Sequence, residues 1–279
     1  MATSPPTHAP LPITDPANPN IKRWDDIGLT LIHDFISESE EAAMVAAFHA
    51  ADPRTGGKKR LSQHFGFHFD YTTFGASDSN FTPLPSYIAD FLTRLPIQEG
   101  LPDQFTVQYY PPGSGIPPHV DTHSMFDEAL YSLSFGSGVP MVFKKCGAND
   151  ARKMRLPKRS LLSDASTTAN KSRPTPELLA SENNTSRDAQ EEEHPSWELM
   201  LPRRSLLLMT GPARYGYTHG IKGRKTDIVD GQTVQREGRY SITMRTTRRG
   251  ADVACDCAFP GVCDARIREE VAQSAGNPQ

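Results

Sequence analysis

At 279 residues the chain can bury one sizeable core, and no apolar run approaches the roughly 20 residues that cross a bilayer as a helix. The formal net charge of -3 gives no whole-molecule attraction to nucleic acid. Any such contact must come from local basic clusters, and the candidates are Lys58, Lys59 and Arg60, and Arg245, Arg248 and Arg249; each can equally be a solvated surface. The four Cys occur without an export signal, so they are expected to be reduced thiols. That favours metal binding over disulfides and a cytoplasmic, or also nuclear, location.

Residues 1–24, rich in Pro, Thr and Ala, are expected to form a disordered tail. Alternation over residues 28–36 predicts a strand. Ser37 with Glu40 three positions on is a capping-box signature, opening a helix through Ala42, Val45, Ala46 and Phe48. Phe65, Phe67, Phe69 and Tyr71 then alternate with His64, Gly66, His68 and Asp70, the period of a half-buried strand or hairpin. Ile88, Phe91, Leu92 and Leu95 fall on one face of a second helix, which Pro96 ends. From residue 104 the chain turns to short strands, over 105–110, 130–144, 205–210 and 239–247, separated by Gly and Pro turns. Residues 146–196 are polar with no apolar period and predict a disordered insertion; residues 265–279 predict a short helix or tail. The expected fold class is α+β: a double-stranded β-helix (jelly roll) core with flanking N-terminal helices, in one domain over residues 25–264.

In PHVDTH, residues 118–123, His119 and Asp121 stand two apart. On an extended chain both side chains point to one side, with Cα atoms near 7 Å apart at about 3.3 Å per residue. An imidazole and a carboxylate suit Fe(II), but one HxD pair in a chain with nine His is a weak signal. A 2-His-1-carboxylate triad with open positions needs a second His. His219 is the candidate, the alternative being a hydrogen-bonded core histidine. On the last strand Arg239, Ser241, Thr243 and Arg245 share one face, and Tyr240, Ile242 and Met244 the other. Two guanidinium groups on a core-facing side are costly unless they meet anions. A dicarboxylic acid such as 2-oxoglutarate supplies two: one Arg can grip its distal carboxylate bidentately while the other lies near the metal-bound end. A buried Arg–Asp pair, with Asp121 itself, is the alternative.

Cys255, Cys257 and Cys263 lie within nine residues, one ligand short of a closed tetrahedral Zn(II) site. His123, about 13 Å from His119 on an extended chain, is too far to share its ion and can supply the fourth ligand. The alternative is three unligated thiols beside a surface His. Cys146 falls in the insertion and is left out of the set.

Together these residues resemble the AlkB family of Fe(II)/2-oxoglutarate dioxygenases, over about residues 28–264 apart from the insertion. The segment GSGIPPHVDTHS, residues 113–124, is similar to the branch that acts on the wobble uridine of tRNA. LPRRSLLLMTG (201–211), THGI (218–221) and the spacing of the three C-terminal cysteines are similar too. The resemblance implies iron ligation by His119, Asp121 and His219, oxoglutarate binding by Arg239 and Arg245, and zinc ligation by His123, Cys255, Cys257 and Cys263. It also implies oxoglutarate contacts from Tyr110 and from Gln108, where the family commonly has Asn and this chain carries the amide on a longer stem. Residues 58–71 are similar to the family's lid over the substrate base. The implied reaction is hydroxylation of the 5-methoxycarbonylmethyl side chain of wobble uridine. N-demethylation of nucleic acid is the enzymatic alternative, and a zinc-stapled RNA-binding module without catalysis the non-enzymatic one. Animal members of the branch carry an RNA-recognition module and a methyltransferase domain, for which this chain is too short, so a separate tRNA methyltransferase is the expected partner.

Overall fold

The structure, a computed structural model, describes residues 10–52, 59–70, 75–147, 195–229 and 231–275. The chain opens with strands Ile13–Thr14 (β1), Ile21–Trp24 (β2) and Leu29–Ile32 (β3) and the helix Glu38–Ala51 (α1). The hairpin Leu61–Asp70 (β4) and Gly75–Thr82 (β5) follows, then the helix Ser86–Leu92 (α2) and strands Gln104–Tyr110 (β6) and Ile116–His119 (β7). Next come Leu130–Gly136 (β8), Val139–Lys145 (β9), Ser196–Leu201 (β10) and Ser205–Met209 (β11). A short helix Gly211–Tyr215 (α3) leads into Tyr217–Ile221 (β12), the hairpin Thr226–Val229 (β13) and Gln232–Gln235 (β14), the strand Arg239–Arg245 (β15) and the helix Asp264–Ala275 (α4).

The strands form a large sheet in the order β1-β2-β3-β11-β8-β15-β6-β4-β5 and a smaller one in the order β10-β9-β12-β7. The two bury a common core: Leu31, Leu130, Leu207 and Met209 of the large sheet meet Met141, Phe143, Leu199 and Leu201 of the small one. On the other face of the large sheet, Met44 and Phe48 of α1 and Ile88 and Phe91 of α2 pack on Val107, Leu133, Phe135, Ile242 and Met244. Two layers of antiparallel sheet with helices on one side make the expected jelly roll with flanking helices. The capping box forms as its spacing requires: the Ser37 amide donates to the Glu40 carboxylate at 2.7 Å, and the Glu40 amide to Ser37 Oγ at 3.2 Å. No helix among the described residues is long and apolar enough to cross a membrane.

Several expected boundaries move. Residues 130–144 form two strands in different sheets, β8 and β9, because the chain turns at Gly136, where φ is +80° and a Cβ would lie 2.6 Å from the Gly238 carbonyl oxygen. Apolar residues continue on both sides of that corner, so periodicity alone cannot reveal it. The expected tail is not structureless throughout: β1 and β2 extend the large sheet, with Trp24 stacked on Trp197 and its Nε1–H donated to the Pro10 carbonyl at 2.8 Å. Of the expected insertion, residues 148–194 lie outside the described residues, whereas Cys146 bonds through its amide to the Gly216 carbonyl and Ser196 starts β10. Lys58 and Tyr71 also lie outside. Helix α2 stops at Leu92, yet Leu95 is buried as its spacing implies.

Candidate active site

The alternation of β15 sorts its side chains between two environments. Tyr240, Ile242 and Met244 join the core under the helices, and Arg239, Ser241, Thr243 and Arg245 line a cavity between the sheets. Neighbouring β6 does the same, turning Phe105, Val107 and Tyr109 to the core and Thr106, Gln108 and Tyr110 to the cavity. The pairing register sets Arg239 opposite Tyr110 and Arg245 opposite Gln104.

His119, Asp121 and His219 meet at this cavity. Strand β12 pairs with β7 so that His219 lies opposite His119, and Gly220 permits the approach: a Cβ there would come 2.8 Å from the Pro118 nitrogen. The two rings are 4.5 Å apart. His119 Nδ1 lies 2.9 Å from the Pro117 carbonyl, which can only accept, so the proton sits on Nδ1 and Nε2 is left as the ligand atom. Asp121 Oδ1 accepts from Arg245 Nη2 at 2.6 Å and Nε at 2.9 Å. Its Oδ2, 3.4 Å from His219 Nε2, is buried without a hydrogen-bond partner, as is His219 Nδ1. Candidate ligand atoms of the three residues lie within 4.8 Å of one another. Two imidazoles and a carboxylate with an orphaned buried oxygen fit a divalent cation such as Fe(II).

Electrostatics favours the ligating forms. Burial, and then the neighbouring His219, lower His119 to about 4, so its imidazole is neutral at pH 7. Burial alone would raise Asp121, but the Arg245 guanidinium, and then the adjacent His219, hold it well below the usual carboxylate range. Burial also lowers His33 and His64 from 6.5. An imidazole whose folded pKa lies below its unfolded value gains protons on unfolding between the two, so its stabilising effect is present above the unfolded pKa and lost as pH falls. The metal-free protein should therefore unfold at lower urea concentration at pH 5 than at pH 7; equal midpoints would contradict this assignment of neutral histidines.

The two arginines differ in role. Arg245 makes the buried pair with Asp121 that the sequence leaves open, and its Nη1 donates to Gln104 Oε1 at 2.9 Å. Arg239, 3% exposed, donates Nη2 to Ser134 Oγ at 2.8 Å and lies over the Tyr110 ring, while its Nε has no hydrogen-bond partner. Among the described residues no carboxylate forms an ion pair with it, so a buried cation faces the cavity in want of an anion. Tyr110 donates its hydroxyl to Gln108 Oε1, and Gln108 Nε2 donates to Ser62 Oγ at 3.4 Å.

A second cluster stands apart. His123, fully buried, lies with Cys255, Cys257 and Cys263, their candidate ligand atoms again within 4.8 Å of one another. Cys257 Sγ is 3.4 Å from His123 Nδ1. Hydrogen bonds from the Cys257 and Cys263 thiols pull Cys255 down to about 3, and the Cys255 contact pushes Cys257 up, as when one thiolate is shared among close sulfurs. Three sulfurs and an imidazole around one point fit a tetrahedral metal.

The family described as the 2OG-Fe(II) oxygenase superfamily matches residues 28–245. The chain belongs to that superfamily. It is a dioxygenase, and the family implies Fe(II) and 2-oxoglutarate as its cofactors. It is 33% identical over 86% of its length to tRNA (carboxymethyluridine(34)-5-O)-methyltransferase alkbh8 of Xenopus tropicalis, of which the match covers 34%. It is 31% identical to the Alkylated DNA repair protein ALKBH8 homolog of Arabidopsis thaliana, over 86% of this chain and 63% of the relative. It is 27% identical to Alpha-ketoglutarate-dependent dioxygenase alkB homolog 4 of Mus musculus, over 71% and 63%. These likenesses make the oxygenase homologous to AlkB-family members. It spans about a third of the length of the vertebrate alkbh8 relative.

The expected basic surface of the oxygenase is smaller than its sequence suggests. Arg245 is buried, Arg248 pairs with Asp127 at 2.7 Å, and Arg249 pairs with Asp103 at 2.8 Å while lying over the Phe67 ring. Lys59 and Arg60 are exposed, and Arg60 lies over the Tyr110 ring at 5.2 Å and lines the cavity. The site also contains residues the sequence does not announce: Gln104, Ser134, Arg214 and Asp264. For Ser134 a signal exists, since Ser132 and Ser134 alternate with Leu133 and Phe135 as Ser241 and Thr243 do with their neighbours. Arg214 and Asp264 lie outside any strand pattern.

Proposed function

We propose that this oxygenase hydroxylates the 5-methoxycarbonylmethyl side chain of the wobble uridine of tRNA, leaving a stable alcohol. The observation that carries the reading is two clusters of candidate metal ligands joined through residues 119–123, His119 and Asp121 with His219, and His123 with three cysteines. The 33%-identical relative is named for carboxymethyluridine 34 of tRNA. In this reading His119, Asp121 and His219 hold iron, and His123, Cys255, Cys257 and Cys263 hold zinc. Iron with oxoglutarate and dioxygen supplies the oxidising power, oxoglutarate leaving as succinate and carbon dioxide.

The chain's own residues hold and orient. Arg239 grips the distal carboxylate of oxoglutarate, with Tyr110 and Gln108 beside it. Arg245 keeps Asp121 ionised and turned so that Oδ2 faces the histidines. Phe126, Leu130, Met141 and Met209 give the cavity dry walls, and β4, which falls in the expected lid segment, pairs with β6 beside it. The ester is installed by a methyltransferase, a separate protein in this reading.

Arg239→Met should raise KM for oxoglutarate about a hundredfold, the scale of removing one member of a buried charge pair. Arg239→Lys should raise it less, because Lys keeps the charge without the bidentate fork. The metal-free Arg239→Met protein should be no less stable than the parent, since the substitution removes a buried cation without a counter-ion. Unchanged KM would contradict the assignment.

A second reading, N-demethylation of nucleic acid, is favoured by the Arabidopsis relative's name as an alkylated DNA repair protein. Demethylation releases formaldehyde and hydroxylation does not. Formaldehyde from N-methylated oligonucleotides, together with no gain of an oxygen on modified tRNA, would replace the first reading by the second.

A further inference from the structure

We propose that Arg214 and Asp264 are positioning residues that clamp the turn carrying Asp121 and His123, and so set the geometry of the iron site without ligating the metal. The proposal rests on the iron assignment above. Arg214 is 1% exposed, and among the described residues it forms no ion pair with a carboxylate. Its two Nη groups donate to main-chain oxygens of one segment, Nη1 to Asp121 at 3.0 Å, and Nη2 to Thr122 at 2.8 Å and Phe126 at 3.4 Å, while its Nε has no hydrogen-bond partner. The ring of Tyr215 lies against the guanidinium at 4.8 Å. Burying a guanidinium costs far more than neutral carbonyls ordinarily return, so holding those carbonyls is the work that accounts for its place.

The amides of the same turn point to a fixed anion. Asp264, fully buried, accepts from the amides of His123 at 2.8 Å and Ser124 at 3.0 Å through Oδ1, and from Ser124 Oγ at 2.5 Å through Oδ2. The peptide groups from Asp121 to Ser124 are thus held with carbonyls against a cation and N–H groups against an anion, which fixes the path of the turn. Arg245 fixes the Asp121 side chain; the clamp fixes its backbone.

Each jaw lies next to other candidate ligands in the chain. Arg214 lies in α3, directly before the strand bearing His219, and Asp264 directly follows Cys263. The clamp therefore ties the third iron ligand and the cysteine loop to the turn that serves both centres. Groups that orient metal ligands typically control affinity by about 10–100-fold.

The test is a Co(II) titration of the full chain with zinc in place and no oxoglutarate, read by the visible absorption of the bound ion. The parent should show a band that His119→Ala lacks. Arg214→Lys, which keeps the charge but cannot reach three carbonyls, and Asp264→Asn, which keeps the shape but turns a donor or a weaker acceptor on the amides, should retain zinc and thermal midpoint yet bind Co(II) about 10–100-fold more weakly. Arg214→Met should be weaker still. If it does not fold, the two conservative variants decide the matter. Parent-like Co(II) affinity in both, or an affinity that falls only in step with zinc loss, would overturn the clamp while leaving the iron assignment intact. A parent without a His119-dependent band would overturn the iron assignment and the clamp together.

Discussion

His119→Ala is expected to lower succinate formation from 2-oxoglutarate by about a thousandfold or more, the equivalent of the several kcal/mol that a catalytic metal contributes. Asp121→Ala should do the same to turnover, but the two differ in stability. His119 is half-buried at the cavity and its removal leaves no charge behind. Asp121 is the buried partner of Arg245, and its removal takes away the carboxylate oxygen that accepts from both Nε and Nη2 of that guanidinium. Breaking a buried pair from one side costs about 3–5 kcal/mol. Succinate assays with urea unfolding of the metal-free proteins separate the effects; equal stability of the two variants would show that the Arg245 pair is not the buried contact described.

Cys257→Ser is expected to release the second metal and to lower stability by several kcal/mol, with its effect on turnover following from the lost fold. Structural zinc contributes roughly 10–16 kcal/mol in finger peptides that have no core of their own. Here the jellyroll has a core, so only the fastening of the C-terminal segment to the His123 turn is lost. Metal analysis of purified protein and a thermal midpoint with and without chelator measure both. Equal metal loss and equal stability in His119→Ala and Cys257→Ser would contradict two separate sites.

What the sequence discloses follows from which signals are local. The period of β15 places Arg239 and Arg245 on one face because alternation is a property of a single strand, and the capping box at Ser37 is likewise complete within four residues. The spacing of His119, Asp121 and His123 separates two sets of candidate metal ligands before any tertiary contact is known. The meeting of His219 with His119 depends on a sheet pairing across about a hundred residues, and it is the resemblance to AlkB proteins that joins them in advance. Nothing local distinguishes Arg245, held by Asp121, from Arg239, held by Ser134; that difference arises from the segment after β7, which brings Asp121, and from β8, which brings Ser134. Arg214 is hidden for the same reason, since its partners are main-chain oxygens that no side-chain pattern can show.

The proposed reaction is tested most directly by mass spectrometry of nucleosides from total tRNA of cells with and without this protein. A hydroxylated 5-methoxycarbonylmethyluridine is expected in the first, and its absence, with the unhydroxylated ester retained, in the second. Identical modified-uridine profiles in both would contradict it.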